Sequence, residues 1–223
     1  MKLKNKHKPT CWQELMVPRT PGVRALIDRL FTTGQCSSSG LLLYDTFADG
    51  GSGKSTLIKE FIKVSGWEVI ALDSAGETKS ALDRLKNQFR SVESYLGNFG
   101  NPNPAFGAPK IIVTGHEISK SSKDFIDGLR DIMDDWDELA LFLFTDNDFA
   151  KLSTNNPQVF RQQRVVSLDW DQVHHDDIRA YCYNILKVEN MDTESNRKIV
   201  DALISINRAS IRGTIIGMEN NCK

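Results

Sequence analysis

The chain lacks any apolar run near the roughly 20 residues that a membrane-crossing helix requires, so no membrane partner is expected. It is poor in cysteine. Cys11, Cys36, Cys182 and Cys222 stand far apart with no metal-like spacing, which argues against a cysteine-built zinc site and reads as isolated thiols in a reducing compartment. It also lacks an excess of either charge: the formal net charge is −1, so bulk electrostatics does not announce a nucleic-acid binder. The basic head, Lys2, Lys4, Lys6 and Lys8, has no apolar segment behind it and so lacks the form of a secretory leader. That head reads either as a solvated tail or as a contact for a phosphate backbone. An acidic run, Asp131 to Glu138, lies elsewhere, and no internal repeat is visible.

What is present suits a folded protein. With 223 residues, 40% of them apolar and 26% charged, the chain can build one substantial α/β core and a small accessory unit. Short apolar runs predict five strands, at Leu41–Tyr44, Glu68–Leu72, Ile111–Thr114, Leu139–Phe144 and Arg164–Leu168. Helical spacing of apolar residues predicts helices over Gly22–Phe31, Ser55–Val64, Ser80–Leu96 and Phe125–Trp136. Strands alternating with helices imply a parallel sheet covered on both faces. Beyond about Asp171 the strand signal stops. Ile178–Leu186, Arg197–Ile206 and Ile211–Met218 read as helices, which predicts an α/β domain over residues 1–170 and a helical lid over 171–223.

The strongest local signal is Ala48-Asp49-Gly50-Gly51-Ser52-Gly53-Lys54-Ser55-Thr56, a near match to G-x-x-x-x-G-K-[ST]. In a phosphate loop of this kind, backbone N–H groups from Gly50 to Ser55 wrap the β- and γ-phosphates, helped by the positive end of the next helix. Lys54 neutralises phosphate charge, Ser55 ligates Mg²⁺, and the glycines allow torsions and close approach that side chains obstruct. Ala48 departs from the first glycine, at a cost of about 1 kcal/mol if it must be left-handed. A plain glycine-rich turn is the competing reading. The strand before and the helix after favour the phosphate loop.

A hydrolysing enzyme of this type also needs acids at the end of a neighbouring strand. Ile111-Ile-Val-Thr-Gly-His-Glu117 offers Glu117 as general base, but His116 precedes it where a magnesium-organising carboxylate is wanted. Either another acid such as Asp146 supplies that charge, or hydrolysis is weak. His116 is a candidate metal ligand, and His174 and His175 read as surface groups.

Taken together these segments resemble AAA+ ATPases, in particular the small motor subunit of DNA sliding-clamp loaders of the T4-like phage type. The likeness starts at Lys8-Pro9-Thr10 and Trp12 to Leu15, and places Val17 and Pro18 near adenine. It makes Thr145-Asp-Asn147 the sensor-1 segment, with Asn147 positioning water, and Ser210-Ile-Arg212-Gly the sensor-2 helix, with Arg212 touching the phosphates. In Phe160-Arg-Gln-Gln-Arg164, Gln162 takes the strict position of the arginine finger, with Arg161 one residue away and Arg164 a second candidate.

The resemblance implies the following set of roles. Glu117, Lys54, Asn147, Arg161 and Arg212 would be catalytic. Ala48 to Thr56, Val17, Pro18 and Arg212 would bind nucleotide, and Ser55 and His116 would face the metal. It further implies ATP and Mg²⁺, closure of the site by self-association or a hetero-oligomer, and contact with DNA and with a sliding clamp or another replication protein. The location would be cytoplasmic, that of the host for a viral chain. Lys120 and Lys123 are candidate DNA contacts, with a helix cap the competing reading of Ser119–Lys123. The sequence stops at Lys223, just past the sensor-2 segment, so no collar domain is expected. Two other functions stay open: a nucleotide-ordered scaffold that does not turn over, and a small-molecule kinase.

Overall fold

Five apolar runs form one parallel sheet. In the computed structural model, which describes residues 2–45, 51–72, 79–96, 103–108, 110–155, 157–160, 164–170, 174–207 and 210–222, the strands are β1 (Gly40–Tyr44), β2 (Val69–Ala71), β3 (Ile111–His116), β4 (Ala140–Asp146) and β5 (Val165–Asp169). Their order across the sheet is β2-β3-β4-β1-β5, and every pairing is parallel. β4 is buried along its whole length, as expected of a central parallel strand covered on both faces.

Successive residues point to opposite faces of a strand, so the register sorts the core into two layers. Leu41, Leu43, Ile112, Leu141 and Leu168 face one way. There they meet Val23, Ile27 and Leu30 of α2 (Pro21–Thr33) and Leu57, Ile58 and Phe61 of α3 (Lys54–Ser65). Leu42, Val113, Phe142 and Phe144 face the other way, against α4 (Lys79–Leu96) and α5 (Lys123–Asp135). Helix α2 is punctuated at both ends: Pro21 opens it with its fixed φ, and Gly34 closes it with φ 67°.

Beyond Trp170 every described element is helical: α7 (His175–Val188), α8 (Glu194–Ile206) and α9 (Ile211–Asn221). Ile178, Cys182, Val200, Ile215 and Met218 from this tail join the same hydrophobic cluster as Leu41 and Leu43. All four cysteines are free thiols, and burial pushes Cys182 up to about 12.

Two helices have no counterpart in the sequence reading, α1 (Leu3–Lys6) and α6 (Phe149–Asn155). Each is too short for its periodicity to register. The first docks the basic head on the protein, with Lys2, Lys4, Lys6 and Lys8 exposed. Leu3 packs on the core, Lys6 and His7 both pair with Glu189 at the end of α7, and the Lys4 N–H donates to Glu219 of α9 at 3.1 Å.

Candidate nucleotide site

Side chains converge where the strands end, the usual ligand position in an open α/β sheet. A cleft of about 680 Å³, within the range that takes a drug-sized ligand, lies between the loop after β1, the ends of β3 and β4, and α9. Gly51, Ser52, Gly53, Lys54, Ser55 and Thr56 all line it. Ala48, Asp49 and Gly50 lie outside the described residues.

The loop is held from three sides. Gly51 has φ 84°, and a Cβ there would fall 2.8 Å from Cβ of Arg212, so only glycine lets the loop and α9 meet. At that contact the Arg212 N–H donates to the Gly51 carbonyl at 3.2 Å. From β5 the indole N–H of Trp170 donates to the Ser52 carbonyl at 3.0 Å. Gly53, at φ 104°, then turns the chain into α3, whose first residue is Lys54.

Lys54 is buried. Its ammonium is bonded to Asp45 and donates to Asn147 Oδ1 at 3.1 Å and to Ser52 Oγ at 3.3 Å. Asp45 Oδ2 also accepts from Ser52 Oγ at 2.7 Å. Asp45 was not singled out from the sequence. Its signal was the strand period: it stands two residues beyond Leu43, on the face that Leu43 shares with Thr145.

The same parity settles the other acids. His116 pairs in register with Thr145, and its Nδ1 lies 2.9 Å from Thr145 Oγ1. Burial, then the neighbouring Lys59, lowers the His116 pKa from 6.5, against an opposing pull from Glu117. A neutral imidazole engaged with Thr145 is not a charge partner for Mg²⁺. His116 itself lines the cleft, and among the described residues no group of three or more His, Cys, Asp or Glu is arranged to hold a metal.

Asp146, the substitute acid expected from the sequence, lies elsewhere. It pairs with Tyr44 on the opposite face, where its carboxylate accepts from the Ser119 N–H at 2.6 Å, the Ser119 hydroxyl at 2.9 Å and the Asp148 N–H at 2.6 Å. It ties two loops together and does not serve the cleft.

Glu117 and Asn147 do line the cleft. Glu117 sits at φ 51°, a left-handed backbone uncommon for glutamate, and pairs with Lys120. Arg212 lines the cleft from the lid side and is exposed. Val17 and Pro18 are buried and do not line it, Val17 because it packs in the core. Their neighbours Leu15 and Met16, with Tyr181 and Ile215, form the cleft's apolar side, and His7 and Lys8 from the docked head reach it as well.

Arg161 and Gln162 lie outside the described residues. Arg164 grips Asp134 of α5 with two nitrogens, at 2.6 and 2.8 Å, and that guanidinium holds the Asp134 carboxyl below its usual range. Ser122 caps α5 by accepting from the Phe125 N–H at 3.2 Å, so the helix-cap reading of Ser119–Lys123 describes that serine, while Lys123 stays exposed. His174 and His175 are exposed, the former as the cap of α7.

No protein-family model matches the chain, and no curated protein gives a significant sequence match. Among solved structures it is similar to the RuvB Holliday junction branch migration motor of Thermotoga maritima, at 12% identity over 96% of this chain and 72% of that one, with a TM-score of 0.51. The ADP form of the Aeropyrum pernix ORC2 protein also matches, at 15% identity and a TM-score of 0.49, over 86% of this chain. This chain spans 59% of the length of the Aeropyrum protein. The likeness to the Thermotoga motor concerns the fold: a parallel β-sheet sandwiched by helices, of the P-loop, AAA+-like kind.

Proposed function

We propose that the chain binds ATP with Mg²⁺ in this cleft and hydrolyses it, as a subunit of an oligomeric machine acting on DNA. The observation that carries the proposal is the meeting of Lys54, Asn147 and the Gly51–Arg212 contact at one cleft, which joins the phosphate loop to the end of β4 and to the lid helix. The backbone N–H groups of the loop and Lys54 would hold the phosphates. Leu15, Met16 and Ile215 would pack on the base.

The donors suit a magnesium ion, which takes few protein ligands and retains water. The Ser55 hydroxyl lines the cleft, and when bound the ion would neutralise charge on the β- and γ-phosphate oxygens. Glu117 would take the proton of the attacking water, Asn147 would orient that water, and Arg212 would stabilise the charge that develops at the γ-phosphate. Glu117 must first part from Lys120, and Lys54 from Asp45.

A neighbouring subunit would close the cleft and supply the arginine finger, Arg161 being this chain's candidate. The clamp-loader reading adds DNA, contacted through its backbone by residues such as Lys120 and Lys123, and a sliding clamp or other replication protein in the cytoplasm of the cell or host. On this reading residues 1–170 form the nucleotide-binding domain and 171–223 its lid. A second reading, a nucleotide-ordered scaffold without turnover, is favoured by the neutral His116 and the Glu117–Lys120 pair.

ATP turnover by the purified protein, with and without primed DNA and beside Lys54→Ala, separates the two. Turnover that DNA raises and Lys54→Ala removes supports the motor. Tight binding without turnover under every condition supports the scaffold.

A further inference from the structure

Beneath the cleft, held by its lining residues Ser52 and Lys54, lies a carboxylate that the proposed chemistry does not use. Asp45 is 2% exposed, and its Oδ1 is buried without a hydrogen-bond partner among the described residues. Its other oxygen is held by Lys54 and by Ser52. Asp45 follows β1 on the face where Leu43 pairs with Thr145, and Asn147 follows β4 on that same face. Both reach the ammonium of Lys54.

Lys54 has three N–H donors, and they already serve Asp45, Asn147 and Ser52. A phosphate that claims this ammonium must displace one of the three, and a polyphosphate, as an anion, competes most directly with the anionic Asp45. That would leave a buried carboxylate bare beside a polyphosphate, an arrangement that needs a replacement cation.

The other groups near the cleft are otherwise engaged. His116 is bonded to Thr145, Asp146 is consumed on the opposite face, and Glu117 is already assigned to the attacking water.

We infer that Asp45, from the end of β1, is the carboxylate that answers Mg²⁺ in this site, and that nucleotide binding exchanges one cation at Asp45 for another. In the nucleotide-free protein Lys54 neutralises Asp45. In the complex Lys54 serves the phosphates, and Mg²⁺, shared with the Ser55 hydroxyl next along the chain, takes its place. The charge that β3 lacks at His116 is thus supplied two strands away. The inference rests on the cleft being a nucleotide site.

ATP affinity measured with Mg²⁺ and with excess chelator, on the wild type and on Asp45→Asn, tests it. Mg²⁺ is expected to tighten wild-type binding at least about tenfold, and Asp45→Asn to reduce that ratio to about twofold by strengthening the metal-free complex. A ratio left unchanged in Asp45→Asn overturns the inference.

Lys54→Met supplies an arm without nucleotide. With the ammonium gone, Mn²⁺ alone is expected to raise the thermal midpoint of Lys54→Met and not that of the wild type. Absence of that shift overturns the inference even where Asp45→Asn fails to fold. A protein that binds no ATP would sink the nucleotide reading, and the Mn²⁺ result would still judge Asp45.

Discussion

Asp45 and Lys54 form an ion pair almost wholly withdrawn from water, their side chains 3% and 7% exposed. Removing one member leaves the other charged and unpaired, at a cost of about 3–5 kcal/mol, whereas removing both costs much less. Lys54→Ala is therefore expected to be destabilised by about that amount in urea unfolding, with Asp45→Asn/Lys54→Met recovering most of it. Equal losses in the single and double variants would show that the pair is not coupled.

Gly51 carries both a left-handed φ and the contact with α9. Gly51→Ala is expected to cost about 1–3 kcal/mol through backbone strain and the displaced Arg212. It should also weaken ATP binding more than it weakens the fold, since the loop moves and the core does not. Equilibrium unfolding and nucleotide titration of one preparation check both.

Trp170 holds the loop through one hydrogen bond to the Ser52 carbonyl. Trp170→Phe keeps most of the buried ring and removes the donor, so about 1 kcal/mol of stability should be lost. Nucleotide affinity should fall severalfold. Trp170→Phe with unaltered ATP affinity would show that the loop is positioned by other contacts.

His116 gives a pH dependence of known sign. Its pKa in the fold lies below 6.5 because burial and Lys59 disfavour the imidazolium. Between the folded and unfolded values the unfolded chain binds the extra proton, so this contribution to stability is complete above about pH 6.5 and is lost as pH falls toward the folded value. The urea midpoint should drop from pH 7.5 to 5.5 in the wild type and drop less in His116→Asn.

Glu189 ties the basic head to the end of α7 by pairing with Lys6 and His7. The pair is near the surface, so Glu189→Gln should barely change the midpoint of global unfolding. Trypsin should nevertheless cut sooner at Lys4 and Lys6, followed by mass spectrometry, because the head undocks without the core opening. Cutting at the wild-type rate would mean that Leu3 packing and the Lys4–Glu219 bond suffice to hold it.

The parallel sheet was legible because β1 and β4 are apolar along most of their length, β3 opens on Ile111-Ile-Val, and α3 follows β1 after a glycine-rich stretch of sequence. The elements of the cleft were legible by motif, as Lys54, Glu117, Asn147 and Arg212 show. Two kinds of feature were hidden. Face parity at the strand ends, which sends Asp45 toward Lys54 and Asp146 away from it, depends on where each strand stops, and a one-residue error reverses the answer. The docking of Lys4, Lys6 and His7 depends on Glu189 and Glu219, each roughly two hundred residues away in the chain. No local pattern encodes such a pairing.

The most direct test of the account is equilibrium binding of ATP with Mg²⁺ to the wild type and to Lys54→Ala, by calorimetry on protein shown to be folded. The expected result is one site per chain in the wild type and a loss of affinity of at least about a hundredfold in Lys54→Ala, in keeping with a charge-assisted phosphate contact. Wild-type protein that binds no nucleotide, or a folded Lys54→Ala that binds it equally well, would contradict the assignment of this cleft.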